Sequence, residues 1–149
     1  MTQNQLHEFF RGKKQKAGPD GIDWVTRRDA WIRAVKELYQ TVTDDYLKAA
    51  KADVEIDYPD KVVTESSIGV YHISELSLRV GDEVVLFSPK GTNIVGAKGR
   101  IDVFGDRGEA TIVWLGDRWS VIASRAPMLR LIDLNAESFS EILKDIMRP

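Results

Sequence analysis

Residues 98–124 read KGRIDVFGDRGEATIVWLGDRWSVIAS, and this stretch decides the fold class. Three runs rich in β-branched and aromatic residues, 98–104, 109–115 and 118–124, have the composition of strands. Leu115-Gly116-Asp117-Arg118 between the last two is a two-residue hairpin connection, and Gly105-Asp106-Arg107-Gly108 is a slightly longer one. Hairpins join antiparallel neighbours, so this part of the chain is expected to fold back on itself twice. Trp114 and Trp119 stand equally far from their shared turn and are expected nearly opposite each other, as a packed cross-strand pair.

Working outward, the same grammar extends upstream. Val54, Ile56 and Tyr58 alternate with Asp53, Glu55 and Asp57, a half-buried strand ended by Pro59. Further short strands are predicted over 61–65, 68–72, 76–80 and 83–87, and one more over 128–134. Before them, Trp24, Trp31, Val35, Leu38, Val42 and Tyr46 form an apolar stripe behind a capping Asp23, which predicts a helix over 23–50. After them, Asn135 caps a closing helix over 136–147, with Phe139, Ile142, Leu143, Ile146 and Met147 on its apolar face. The order helix, many adjacent strands, helix predicts an α+β fold: a long N-terminal helix on a curved antiparallel sheet spanning 53–134. Gly12, Gly18, Pro19 and Gly21 among lysines mark residues 1–22 as a flexible basic leader to a single domain, 23–149.

Val80-Gly81-Asp82-Glu83-Val84-Val85-Leu86, followed by Val95-Gly96-Ala97-Lys98-Gly99-Arg100-Ile101-Asp102-Val103, resembles the opening of a KOW-like or other SH3-like small barrel. The resemblance covers residues 80–103 and implies a binding platform for nucleic acid or protein, with no active site. Independently of it, Gly81 suits a positive φ in a tight turn, and Gly96 and Gly99 suit a close approach of backbone to a curved sheet. An SH3-like barrel and a plain open sheet both remain consistent with the pattern.

Composition removes several chemistries. The chain has 149 residues, a net charge of −2 and no cysteine, so disulfides, zinc knuckles and thiol nucleophiles are excluded. At 43% hydrophobic and 30% charged it has the make-up of a globular domain. Residues 1–10 carry no apolar signal core and the longest apolar runs, such as Ile112 to Leu115, are far short of a bilayer span, so a cytoplasmic protein without membrane contact is expected. Charge is uneven: residues 1–18 are +3 and residues 79–130 are +2.

Candidate sites follow from the remaining side chains. His72 beside Glu75 could orient a base, but Ser66, Ser67 and Ser74 lie in no Gly-x-Ser-x-Gly elbow. Asp53, Glu55, Asp57 and Asp60 could hold a cation or share a proton, although a solvated strand face has the same pattern. Ser88-Pro89-Lys90-Gly91-Thr92-Asn93 has loop chemistry without the spacing of a phosphate cradle. No metal and no cofactor is expected. The leading expectation is a non-enzymatic, protein-binding module. Its surface would be the long loop Ser88–Ala97 with Lys90, Thr92, Asn93, Arg100, Arg107, Arg118 and Trp119. Two rivals stand beside it. One is nucleic-acid binding through Arg11, Lys13, Lys14 and Lys16 with the neighbouring Phe9 and Phe10; the other is a small hydrolase with a pocket around His72 or Asp57. Self-association through Ile32 and Tyr39, beside the main helical stripe, is also open.

Overall fold

A computed structural model describes residues 2–16, 23–92 and 97–149. Helix α1 spans Gln3–Lys16, α2 Trp24–Thr41 and α3 Ala136–Ile146. Between α2 and α3 the strands are β1 Glu55–Asp57, β2 Asp60–Glu65, β3 Gly69–Ser74, β4 Leu76–Val80, β5 Glu83–Gly91, β6 Gly99–Gly105, β7 Gly108–Trp114, β8 Trp119–Ser124 and β9 Arg130–Asp133. Seven strands form one antiparallel sheet in the order β1-β4-β5-β6-β7-β8-β9, and β2 and β3 form a separate hairpin. The α+β architecture with helices before and after the sheet is therefore as the sequence predicts. Among the described residues β1 and β9 are edges that do not pair with each other, so the ladder is open and the SH3-like closure implied by 80–103 is not found. Closure requires matched edge strands with a consistent stagger. Here the edges are three and four residues long.

The core lies between α2, α3 and one face of the sheet. Leu78 opposes Val85, Phe87 opposes Val103, Ile101 opposes Ile112, and Ile112 opposes Val121. These side chains cluster with Trp31, Val35 and Leu38 of α2 and with Phe139, Ile142 and Ile146 of α3. Asp23 caps α2 by accepting from the Thr26 N–H at 3.1 Å. Trp114 and Trp119 are direct partners across the β7–β8 turn, with ring centroids 6.3 Å apart, and both lean on Trp31 at 6.1 and 5.8 Å. The expected cross-strand pair is formed, with both rings half-buried.

Four details differ from the sequence reading. Residues 3–16 are helical rather than a flexible leader, because Thr2 and Gln5 form a capping box, Gln5 N–H to Thr2 Oγ1 at 3.2 Å and Thr2 N–H to Gln5 Oε1 at 3.0 Å. The rest of that leader lies outside the described residues. The helix predicted over 23–50 is regular only to Thr41 and continues as a π turn, Val42–Tyr46, and a 3-10 segment, Lys48–Asp53. Thr41, Val42 and Thr43 are consecutive β-branched residues that crowd a regular helix, and the wider turn keeps Val42 and Leu47 buried. Strand β5 runs four residues past Phe87, because Pro89 falls at a bulge where a missing N–H is tolerated. Finally, Tyr39 is buried, its hydroxyl donating to the Ser74 carbonyl at 2.8 Å, so it offers no surface for self-association. No described helix is long and apolar enough to cross a membrane.

Candidate functional site

The structure disperses the expected binding surface. Thr92 is fully buried, and its N–H and hydroxyl donate to Glu65 Oε1 at 2.9 and 3.1 Å. Tyr71 donates its hydroxyl to the other oxygen of the same carboxylate. Burial and that carboxylate push the Tyr71 phenol well above the ordinary tyrosine value. Arg27 Nη2 donates to the carbonyls of Thr92 and Ala97, the latter at 3.2 Å. Glu65 and Arg27 thus fix both roots of the β5–β6 connection, while Asn93 itself lies outside the described residues. Arg100 binds Asp102 through two bonds of 2.8 and 3.0 Å, and Lys90 stretches over the Phe104 ring at 5.5 Å. Lys61 Nζ bonds Ser88 Oγ and the Pro89 carbonyl, and desolvation followed by the nearby Lys90 lowers its pKa.

Arg107 sits in the β6–β7 turn, donating its N–H to the Ile146 carbonyl at 2.8 Å. Arg118 sits in the β7–β8 turn, at the opposite end of β7, roughly 20 Å away along a seven-residue strand. Arg118 and Trp119 do share a cleft of about 410 Å³ with Arg33 and Glu37 of α2. His72 pairs with Asp60 at 2.7 Å rather than with Glu75, and both side chains are about two-thirds exposed, at 68% and 65%. Asp57 is exposed on β1, in the other sheet. Among the described residues no three His, Cys, Asp or Glu side chains are grouped to hold a metal. The cations Arg11, Lys13, Lys14 and Lys16 follow one another along the C-terminal half of α1.

A different surface emerges at the β9 edge. Met128, Leu129, Leu131 and Ile132 are 69%, 60%, 42% and 46% exposed, an unusual run of large apolar side chains facing water. All four residues of β9 are exposed. Of these four, Ile132 lines a groove of about 550 Å³ between α3 and strands β7 to β9. Ala110, Val121, Ile132, Ile142 and Ile146 supply apolar lining, and Glu109, Glu137, Glu141 and Asp145 supply four carboxylates. No lysine or arginine lines it, although Lys144 pairs with Glu141 at 3.7 Å from outside.

The sequence builds this groove locally. Asn135 and Ser138 cap α3 reciprocally at 2.9 Å each, fixing where the helix begins beside β9. From that start Phe139, Ile142 and Ile146 turn into the core, while Glu137, Glu141 and Asp145 recur every four residues along one flank. A signal for the site was therefore present, in that spacing of acids and in the consecutive apolar residues Met128-Leu129 and Leu131-Ile132. The period of two that marks a half-buried strand does not say that a strand is an edge, so the pattern alone does not distinguish an exposed β9 from a buried one.

Comparison with known proteins adds no identity: no family model, no curated protein and no solved structure matches this chain.

Proposed function

We propose that the chain is a protein-interaction module that docks a basic, apolar-faced segment of a partner on the β9 edge and the adjoining groove. The single observation that carries this is the exposed apolar run Met128, Leu129, Leu131 and Ile132, whose Ile132 lines a groove that also holds four carboxylates. Covering what remains exposed of those four side chains is worth about 4 kcal/mol, at roughly 2 kcal/mol for each full burial. Immobilising two bodies consumes a sum of that order. Net affinity must therefore come from the groove, where a lysine or arginine meets Glu137 or Asp145 over an apolar floor.

The test is amide NMR on the isotopically labelled full chain, titrated with a synthetic Leu/Lys amphipathic helix and with its Leu/Glu counterpart. The Leu/Lys probe is expected to shift amides of β8, β9 and α3, more weakly as salt rises and the screening length falls below about 10 Å. The Leu/Glu probe should leave them in place. Ile132→Asp should abolish the response with the spectrum otherwise folded. Equal response to both probes, or shifts centred elsewhere, would refute the reading.

A further inference from the structure

Independently of the β9 surface, we infer that the cleft between α2 and the β7–β8 hairpin binds one nucleotide, its base on the paired tryptophans and its phosphate on Arg33 and Arg118. The cleft encloses about 410 Å³, within the range of roughly 300–1,000 Å³ usual for small-ligand sites. It shares no lining residue with the groove beside α3. Small residues open it. Ala30 and Ala34 withhold bulk from the side of α2 that lines it, and Gly116, at φ +103°, withholds bulk from the hairpin turn. Trp114 and Trp119 line it from the hairpin, half-buried, with ring centroids 6.3 Å apart. Both lean on the fully buried Trp31, so this aromatic wall is braced by the core.

Four charged side chains join that wall. Arg33 and Glu37, one helical turn apart, come from α2, and Asp117 and Arg118 come from the turn. None of the four side chains forms an ion pair or hydrogen bond with a described residue. Arg100 and Arg148, by contrast, are both committed to carboxylates. Lys98 adds a cation at the same turn, its Nζ standing 3.0 Å from the point that a Cβ on Gly116 would occupy. Arg33, Lys98 and Arg118 thus outnumber Glu37 and Asp117, which favours an anionic ligand.

The lining narrows its class. Guanidinium forks bind phosphate through parallel charge-assisted hydrogen bonds, and indole faces stack on any base. A planar anion without donors on its ring edge would leave Glu37 and Asp117 uncompensated beside it. The amino group of cytosine or guanine donates to such carboxylates, so a nucleotide answers both signs of the lining at once. A free nucleotide and the phosphorylated end of a single strand present that same unit.

The test is NMR of the isotopically labelled full chain, following amide and indole N–H signals during titration with cytidine and guanosine 5′-monophosphates. The indole signals of Trp114 and Trp119 and the amides of the turn between them are expected to shift, while those of β9 and α3 stay in place. Cytidine without phosphate, and benzoate, a planar anion with no edge donor, should each bind roughly tenfold more weakly or worse. Arg33→Glu with Arg118→Glu should abolish the response; both residues are exposed, and an otherwise unchanged spectrum shows the fold intact. Ala30→Leu keeps every charge, fills the cleft and should abolish it too. If neither monophosphate binds, or the shifts centre elsewhere, the inference is overturned. Equal affinity for benzoate overturns it as well, and so does preference for a quaternary ammonium probe, which would mean that the carboxylates and rings hold a cation. A 5′-phosphorylated oligonucleotide identifies the source: binding tighter than the monophosphate points to a strand end, weaker binding to a free nucleotide, and both support the site. Failure here leaves the β9 reading standing, because its probe and its responding signals are different.

Discussion

Replacing Gly99 by alanine should cost heavily, since an added Cβ there meets the closest contact of any described glycine. A Cβ there would lie 2.1 Å from Cζ3 of Trp31, 2.3 Å from Cε3 and 2.7 Å from Cη2, all well inside contact distance. The indole has nowhere to go. Trp31 is fully buried and is backed by the rings of Trp114 and Trp119 at 6.1 and 5.8 Å. Relief must come from moving β6 away from α2 or from displacing three tryptophans together. Overpacking of this kind costs about 1–3 kcal/mol where side chains alone can adjust, and Gly99→Ala should fall at or above the upper end. For a chain of this length, 3 kcal/mol corresponds to a fall in melting temperature of roughly 6–12 °C. Urea denaturation followed by tryptophan fluorescence measures both the stability and the disturbed indole cluster. The cause is checked by a double-mutant cycle with Trp31→Phe, whose smaller ring should take back at least about 1 kcal/mol of the loss as coupling energy. A Gly99→Ala protein within about 0.5 kcal/mol of the parent would refute the claim that this backbone–indole contact admits no side chain.

Removing the Glu65 carboxylate should loosen the β5–β6 connection. Glu65→Ala leaves the N–H and hydroxyl of Thr92 and the hydroxyl of Tyr71 without their acceptor, costing about 2–4 kcal/mol. Hydrogen exchange should accelerate at Thr92 by at least an order of magnitude, and unchanged protection there would show that the clamp is not what holds the loop root. Stability should also fall at alkaline pH. Burial raises the Tyr39 phenol most, with Glu75 adding to it, and burial followed by Glu65 raises Tyr71, so both stay protonated in the folded chain after their unfolded counterparts ionise. That contribution is fully present below the ordinary tyrosine value of about 10 and declines above it, by up to about 1.4 kcal/mol per pH unit for each phenol. Tyr39→Phe should shallow the decline measured by denaturant titration between pH 10 and 11, and an identical slope in that variant would rule the phenol out as its source.

The fold was legible where each segment's own chemistry settles its state. The Gly116-Asp117 turn places Trp114 opposite Trp119, and Asn135 starts the last helix where the structure has it. Legibility failed where a local signal was overridden or shared. Pro89 reads as a strand end and is instead absorbed by a bulge, which moved the apparent binding loop by four residues and made Thr92 look exposed when it is buried. The glycines and lysines of residues 11–22 read as flexible, whereas Thr2 and Gln5 cap a helix that runs through Gly12. Arg100 and Lys90 read as free cations because sequence does not show that Asp102 stands two residues along the same strand face, or that Phe104 underlies the lysine.

The two edges of the main sheet are treated differently, and that difference bears on function. Edge strands present unpaired backbone groups, and proteins blunt them with short length, charge or cover. β1 meets two of these conditions, being three residues long with Glu55 and Asp57 flanking its central Ile56. β9 is nearly as short and carries Arg130 and Asp133 at its ends, but between and before them stand Leu131, Ile132, Met128 and Leu129, all exposed. Solubility alone would replace such residues with polar ones at little cost to a core they do not enter. The fold also does not need them to hold α3, since Asn135, Ser138 and the buried Phe139, Ile142 and Ile146 already do so. An apolar edge that contributes little to the monomer and adjoins an acidic groove is what a docking surface requires.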